Sequence, residues 1–246
     1  NVPCRGVGGD YYDYFLRDDG LLALTIADVA GKGIPAALLM TSLCTAFRGE
    51  AEGRLSPARI AANLNAALGT RIAPGRFVCF FCGVWDPASG LLRYCNAGMD
   101  PPVLFREGTA WQHRLRKGGP VLGAVRDHDY REGALTLEPG DRLFLHTDGM
   151  TDQRNEEGEF YDEERLYRSV TTNLDKDPAP MLDEVFTGVQ HFGGEGEGDD
   201  MTAMMLEIKA LSKNEKSGPL LAQAAWDRVD DRGLPSGEYP LKPPRK

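Results

Sequence analysis

Leu21-Leu22-Ala23-Leu24-Thr25-Ile26-Ala27-Asp28-Val29-Ala30-Gly31-Lys32-Gly33-Ile34-Pro35-Ala36-Ala37-Leu38-Leu39 changes its physical character twice. Residues 21–27 are an almost wholly apolar run after the turn residues Asp18-Asp19-Gly20, which reads as a buried strand. Asp28 closes the run. Gly31-Lys32-Gly33 then breaks the chain, and Pro35 suits the first turn of a helix. Leu38, Leu39, Thr41, Ser42, Cys44, Ala46 and Phe47 continue that helix with small and apolar side chains, so much of its surface is expected to be covered.

The alternation of elements extends outward from this stretch. Ser56-Pro57 starts a second helix, with Ser as N-cap and Pro in the first turn. Ile60, Leu64, Ala67 and Leu68 repeat along it at helical spacing. Residues 77–85, the turn Asp86-Pro87-Ala88-Ser89-Gly90 and residues 91–95 read as a β-hairpin. Residues 103–105 and 111–115 read as two strands around a turn at Arg106-Glu107-Gly108-Thr109. Residues 142–147 follow the turn Glu138-Pro139-Gly140-Asp141 as another strand, and residues 201–209 form a late one. Two helices are expected between those last strands. One opens at Asp162-Glu163-Glu164 with acids in its first turn, as the helix dipole prefers. The other opens at Asp177-Pro178 and runs towards His191. Gly193-Gly194-Glu195-Gly196-Glu197-Gly198 reads as a mobile loop. The fold class is α+β, in layers. A domain is expected over residues 1–210, followed by a flexible tail over residues 211–246, with a docking peptide as its functional alternative.

The bulk composition narrows the function classes. The chain has 246 residues, 41% of them hydrophobic, and a formal net charge of −9. An acidic balance argues against nucleic acid, which would select a basic stripe. No apolar run approaches the roughly 18 residues needed to span a membrane. The sequence begins Asn-Val-Pro-Cys-Arg-Gly, without an initiator Met or a signal-peptide core. We expect this start to be a cut edge, with a sensor or regulatory domain upstream. Five cysteines (Cys4, Cys44, Cys79, Cys82 and Cys95) suggest reduced thiols and a cytoplasmic location. Cys79 and Cys82 form a C-x-x-C, but residues three apart on a strand face opposite ways, which argues against a shared ligand.

Acids stand out in four short motifs: Gly8-Gly9-Asp10-Tyr11-Tyr12-Asp13, Asp28-Val29-Ala30-Gly31-Lys32-Gly33, Thr147-Asp148-Gly149-Met150-Thr151-Asp152 and Gly198-Asp199-Asp200-Met201-Thr202. Any one Asp is an ordinary turn or cap residue. Together they sit at strand ends and tight turns, where carboxylates can converge at one sheet edge and hold hard cations. Within these motifs there is neither His nor Cys. His146, beside the third motif, reads as a packed strand residue. An all-oxygen site favours Mg²⁺ or Mn²⁺ over zinc, and a pair of such ions suits phosphoester hydrolysis by an activated water.

Those segments, with Val7 ahead of the first, Ile34-Pro35-Ala36-Ala37-Leu38 after the second, and Asn96-Ala97-Gly98 between, resemble the bacterial SpoIIE/RsbU branch of the metal-dependent (PPM, type-2C) serine/threonine phosphatases. The resemblance runs in order from about residue 7 to 209. Any one motif is weak, and all five in order are highly specific. It implies a central β-sandwich of two antiparallel sheets flanked by helices, with a dinuclear Mn²⁺ or Mg²⁺ centre at one end. Carried over by position, Asp28 contacts both metals and the Val29 carbonyl is a further ligand. Asp148 and Asp199 complete the inner shell, and Asp10 binds a metal directly or through water. Asp200 is an alternative to its neighbour. Asp13 and Asp152 support the ligands or hold a weaker third ion. The helix after Asp28 resembles the family's regulatory switch, so a shift of residues 34–48 would move Asp28 and Val29. Dimerisation through the switch helices is implied by the resemblance only.

The implied function is a phosphoserine/phosphothreonine protein phosphatase. Its implied substrate is an anti-sigma-factor antagonist of STAS type, in bacterial partner switching. Two other readings stay open at this point: a pseudophosphatase that binds partners without turnover, and a small-molecule phosphohydrolase. No position clearly matches the N-terminal arginine with which larger type-2C enzymes hold phosphate; Arg5 and Lys32 are the nearest cations in sequence. The segment that normally precedes Gly-Gly-Asp is nearly absent, which puts one strand of the expected sandwich in doubt.

Overall fold

The structure, a computed structural model, describes residues 1–3, 8–69, 76–106, 112–194, 198–210 and 223–224. In chain order it runs β1 (Asp10–Leu16), β2 (Leu22–Val29), α1 (Ile34–Glu52), α2 (Pro57–Leu68), β3 (Val78–Trp85), β4 (Leu91–Ala97), β5 (Val103–Phe105) and β6 (Gln112–Arg114). It continues with β7 (Gly118–Gly119), β8 (Gly133–Thr136), β9 (Arg142–His146), a 3₁₀ turn (Asp148–Met150), α3 (Asp162–Thr172), α4 (Pro178–Gly193), β10 (Ala203–Glu207) and β11 (Gln223–Ala224).

Two sheets form. The first has the order β1-β2-β3-β4-β7, with β8 also paired to β4, and the second has the order β11-β10-β9-β5-β6. Every ladder is antiparallel except the short parallel one between β4 and β7, where Asn96 faces Gly118 and Ala97 faces Gly119. The expected sandwich of antiparallel sheets is therefore present with one small parallel addition.

Period two along the strands sets the layers. Leu22, Leu24 and Ile26 of β2 join Phe81, Trp85, Leu92, Leu143, Leu145, Met204 and Leu206 in a core between the sheets. The alternate residues Ala23, Ala27 and Val29 pack with Phe80 and Cys82 against Leu43, Phe47, Ile60 and Leu64 of α1 and α2. On the far side, Val103, Phe144 and Met205 meet Leu166, Val170, Met181 and Val185 of α3 and α4. The result is helices, sheet, sheet, helices.

Local chemistry sets the helix starts. Ser56 Oγ accepts the Arg59 N–H at 3.3 Å and Pro57 follows as the first residue of α2, a cap that contributes about 1 kcal/mol. Gly33, at φ +77°, precedes α1, a left-handed conformation that glycine adopts without strain. Cys79 and Cys82 face opposite sides of β3, one packed against the inter-sheet core and one buried under the helices. The N-terminal strand placed in doubt above is represented by Val2, which makes an isolated antiparallel bridge to Met201. Cys4, Arg5, Trp111, the middle of the glycine-rich loop and the tail apart from β11 lie outside the described residues. Two tail residues, Gln223 and Ala224, pair with Glu207 and Leu206.

Candidate metal centre

The same period that builds the inter-sheet core also builds the site. Leu22, Leu24 and Ile26 face the opposing sheet, so Asp28, two residues on, faces the same gap at its end. Tyr12 and Tyr14 pack against that core, so Asp10 shares their side. Leu143 and Leu145 project Thr147 there, and Met204 and Leu206 project Thr202 and Asp200. Four segments from both sheets thus end the apolar layer in a polar cap.

Hydrogen bonds and close packing confirm that convergence. Asp10 and Asp28 are direct partners in the β1–β2 ladder. Asp10 Oδ2 accepts from Thr147 Oγ1 at 2.8 Å and from Thr202 Oγ1 at 2.6 Å. Thr147 Oγ1 in turn accepts the Thr202 N–H at 3.1 Å. Asp200 Oδ2 accepts the Gly9 N–H at 2.6 Å. A Cβ on Gly8 would stand 2.7 Å from that same oxygen, and one on Gly9 would stand 3.1 Å from the Val29 carbonyl oxygen. Both glycines of the first motif therefore allow a close approach of backbone to the site. A Cβ on Gly149 would meet the Asp200 carbonyl oxygen at 2.0 Å, so the turn after Asp148 lies directly against the Asp199-Asp200 segment.

Burial, and then neighbouring carboxylates, raise the pKa of Asp10, Asp28 and Asp148. Burial pushes Asp10 up to about 8; the Thr202 and Thr147 hydroxyls oppose this, and Asp28 and Asp200 reinforce it. Asp28 is pushed up to about 6, first by burial and then by Asp199 and Asp200, with Lys32 pulling the other way. Asp148 is also raised, by desolvation and then by Asp28, Asp152 and Asp199. Asp148 is exposed, so water screens part of that effect. Cys79, the ladder partner of Asp28, is pushed up to about 12 by burial and the surrounding acids, and stays a neutral thiol at neutral pH.

Among the described residues no three His, Cys, Asp or Glu side chains stand in ligating register around one point. The donor set nonetheless fits hard divalent cations. It is all oxygen, it comes from several chain segments, and burial and neighbouring charge raise Asp10, Asp28 and Asp148, a cost that a bound cation would relieve. The structure brings Asp10, Asp28, Asp200 and the Val29 carbonyl together, with Asp148 and Asp199 exposed at the rim. Lys32 bridges to that rim: its Nζ lies 3.2 Å from Asp199 Oδ1 and 3.1 Å from the Gly198 carbonyl oxygen.

Asp13 is placed elsewhere. It shares the α1-facing side of β1 with Tyr11 and Phe15. There it takes two hydrogen bonds from Arg48, at 2.6 and 2.8 Å, and one from Tyr11 at 2.7 Å. Strand parity separates it from Asp10, and it joins α1 to β1. Asp152 is exposed beside Asp148. His146 is fully buried, with Nε2 3.0 Å from the Tyr167 hydroxyl and Nδ1 4.0 Å from Asp100 Oδ2. The Asn-Ala-Gly motif is a brace: Asn96 Nδ2 donates to the Met99 and Leu115 carbonyls, and its Oδ1 accepts the Met99 N–H. Sequence reasoning missed the two threonine hydroxyls and Asp100. The threonines carried a signal, since each sits in register with the inward residues of its strand.

Layers of helix, sheet, sheet and helix with acids at one end of the sandwich define the class of PP2C-type phosphatase domains. The fold superposes on the PP2C domain of SiaA from Pseudomonas aeruginosa with a TM-score of 0.72 and 25% identity, covering 83% of this chain and 82% of that one. The chain belongs to the SpoIIE family, matching the Stage II sporulation protein E profile over residues 18–209. It is 29% identical to phosphoserine phosphatase RsbU of Bacillus subtilis over 209 residues, covering 85% of this chain and 62% of RsbU. It is 34% identical to protein IcfG of Synechocystis over 229 residues, covering 81% of this chain and 36% of IcfG. The chain thus spans less than two thirds of the curated relatives it matches.

Proposed function

We propose that this chain is a metal-dependent phosphoserine/phosphothreonine protein phosphatase. The observation that carries the reading is the end of the sandwich, where acids from both sheets meet in a member of this family. Asp28, Asp148 and Asp199, with Asp10 and the Val29 carbonyl, would hold two Mn²⁺ or Mg²⁺ ions, and Asp200 is the alternative to Asp199. Such ions supply charge for phosphate oxygens and lower the pKa of water to the neutral range. Within the protein, Thr147 and Thr202 fix the Asp10 carboxylate, Gly9 fixes that of Asp200, and Lys32 adds a cation at the rim.

The substrate in this reading is a STAS-type anti-sigma-factor antagonist in cytoplasmic partner switching, with a regulatory domain upstream. The naming of RsbU as a phosphoserine phosphatase supports the reaction. No helix among the described residues is long and apolar enough to cross a membrane. Ile34 and Leu38, 71% and 66% exposed on α1, support a homodimer through the helix that follows Asp28.

The test is hydrolysis of p-nitrophenyl phosphate with Mn²⁺, comparing wild type with Asp28→Asn and Asp148→Asn. The expected result is turnover that depends on Mn²⁺ and disappears in both variants. A folded wild type that neither turns over nor takes up Mn²⁺ by calorimetry would sink the reading.

A further inference from the structure

A cleft of about 590 Å³ opens directly beside the acids. Lys32, Asp152 and Asp199 line one part of it, and Arg154, Glu156 and Phe160 line another. The second group lies on a braced hairpin. Arg154 and Phe160 form an isolated antiparallel bridge. Asn155 Oδ1 accepts the Glu159 N–H at 2.8 Å, its carbonyl accepts the Gly158 N–H at 2.9 Å, and the Tyr161 N–H reaches the Gln153 carbonyl at 2.8 Å. Gly158, at φ +81°, makes the reversal.

This hairpin presents an arginine stacked on an aromatic ring. The Arg154 guanidinium lies 4.0 Å over the Phe160 ring, which fixes its plane. Among the described residues no hydrogen bond or ion pair to another side chain uses that guanidinium. Its neighbour Arg165, by contrast, is bonded to Glu159 and Asp162. Phe160 itself is 42% exposed. A planar five-donor fork held on an aromatic face is prepared for a carboxylate or phosphate, because less freedom is lost when the bonds form. Lys32 bridges to Asp199 at the acid end, with its Nζ 3.2 Å from Asp199 Oδ1, whereas Arg154 sits on the hairpin against Phe160. In the phosphatase reading Lys32 is the cation at the phosphate end of the cleft, and Arg154 is the cation of its hairpin wall. Asp152 and Asp199 belong to the acid end, so Glu156 is the acid set against Arg154 in the rest of the described lining.

We propose that this cleft receives the polypeptide flanking the phosphorylated residue, and that Arg154, stacked on Phe160, selects an acidic side chain in that flank. The inference rests on the phosphatase reading and gives its substrate class: a phosphoserine within an acidic segment. Arg154 is a specificity residue here, not a catalytic one.

The experiment uses two labelled peptides carrying a non-hydrolysable phosphonate in place of phosphoserine, one flanked by glutamates and one by lysines. Fluorescence anisotropy measures their binding to the full chain with Mn²⁺. Wild type is expected to bind the glutamate peptide about tenfold more tightly, the discrimination one charge-assisted fork provides. Arg154→Ala should bring the ratio close to one, and Arg154→Lys should keep part of it, since the charge survives without the fork. Lys32→Ala should weaken both peptides alike. On the matching phosphoserine peptides, the Arg154→Ala defect should fall on KM rather than kcat. Circular dichroism melts establish that each variant is folded. A wild type that binds neither peptide or shows no flank preference, or a folded Arg154→Ala that keeps the preference, overturns the proposal. Flank-selective binding without any phosphate hydrolysis would uphold the cleft and overturn the phosphatase reading. Aryl phosphate hydrolysis without flank selectivity would do the reverse.

Discussion

A carboxylate at the point where an apolar layer ends must be held by donors, or its charge is costly. Asp10, 8% exposed, takes two donors from Thr147 and Thr202, on segments of the opposite sheet. Thr202→Val keeps the shape and removes one of them. Its expected cost is about 1–3 kcal/mol, the desolvation penalty of a buried group left short of a partner, read as a lower urea midpoint with an unchanged slope. Gly149→Ala should cost more than Thr202→Val in the same measurement, because its Cβ meets the Asp200 carbonyl oxygen at 2.0 Å and backbone must move. A midpoint equal to wild type would contradict the close packing of these two segments. The acids of this group were legible in the sequence as motifs at strand ends. The threonines were not, because Thr is also an ordinary strand residue. Only knowledge of which face of β9 and β10 points inward separates the two roles. Asp13 shows the converse: it lies three residues from Asp10, and period two turns it to the helix side, where Arg48 takes it up.

Asp141 shows how one residue can fasten elements. It is 1% exposed and heads β9. Arg106, just past β5, grips it through Nε at 2.7 Å and Nη2 at 2.6 Å. The carboxylate also accepts the Glu138 N–H at 2.8 Å, and the Asp141 carbonyl accepts the Ile208 N–H at 2.9 Å. The side chain thus ties Arg106, just past β5, to the turn before β9, and the backbone of the same residue reaches the end of β10. Removing the side chain leaves the Glu138 N–H without this acceptor and takes from Arg106 its two shortest side-chain bonds, while its contacts to the Thr136 carbonyl and Glu138 remain. Asp141→Ala is expected to destabilise by about 2–3 kcal/mol, below the usual range for a fully buried pair because Arg106 retains access to water. A loss under half a kcal/mol in urea melts would show that the grip is incidental. The turn at residues 138–141 was readable in the sequence, and so were α1, α2 and the β3–β4 hairpin, where periodicity and turn chemistry agree. β1, β7 and β8 were not. β1 reads as acids and aromatics until its partner β2 is known. β8 is short and pairs with a strand some way back in the chain, so nothing local identifies it.

The inter-sheet layer of the whole molecule is asymmetric. At one end Leu22 pairs with Trp85, and Trp85 closes the layer with its Nε1 donating to the Gly90 carbonyl. At the other end the polar cap draws Asp10 and Asp28 from the first sheet and Asp148, Asp199 and Asp200 from loops joined to the second. Burial makes charge costly for Asp10 and Asp28 at that end, neighbouring carboxylates add to the cost, and the Thr202 and Thr147 hydroxyls oppose it at Asp10. Cations bound there would join the sheets instead of merely decorating the surface. Binding to the folded state alone stabilises by about 2.7 kcal/mol when the free ion is a hundredfold above its dissociation constant. For a domain of this size that corresponds to a rise in Tm of roughly 5–10 °C. Melting should therefore shift upward with Mn²⁺ and return with a chelator. Asp28→Asn should melt at or above the temperature of metal-free wild type, because it relieves repulsion, and should lose the Mn²⁺ shift. A wild-type shift that survives in Asp28→Asn would place the ion away from the end of the sandwich. Absence of any shift would leave the acid cap without the cations that its chemistry fits.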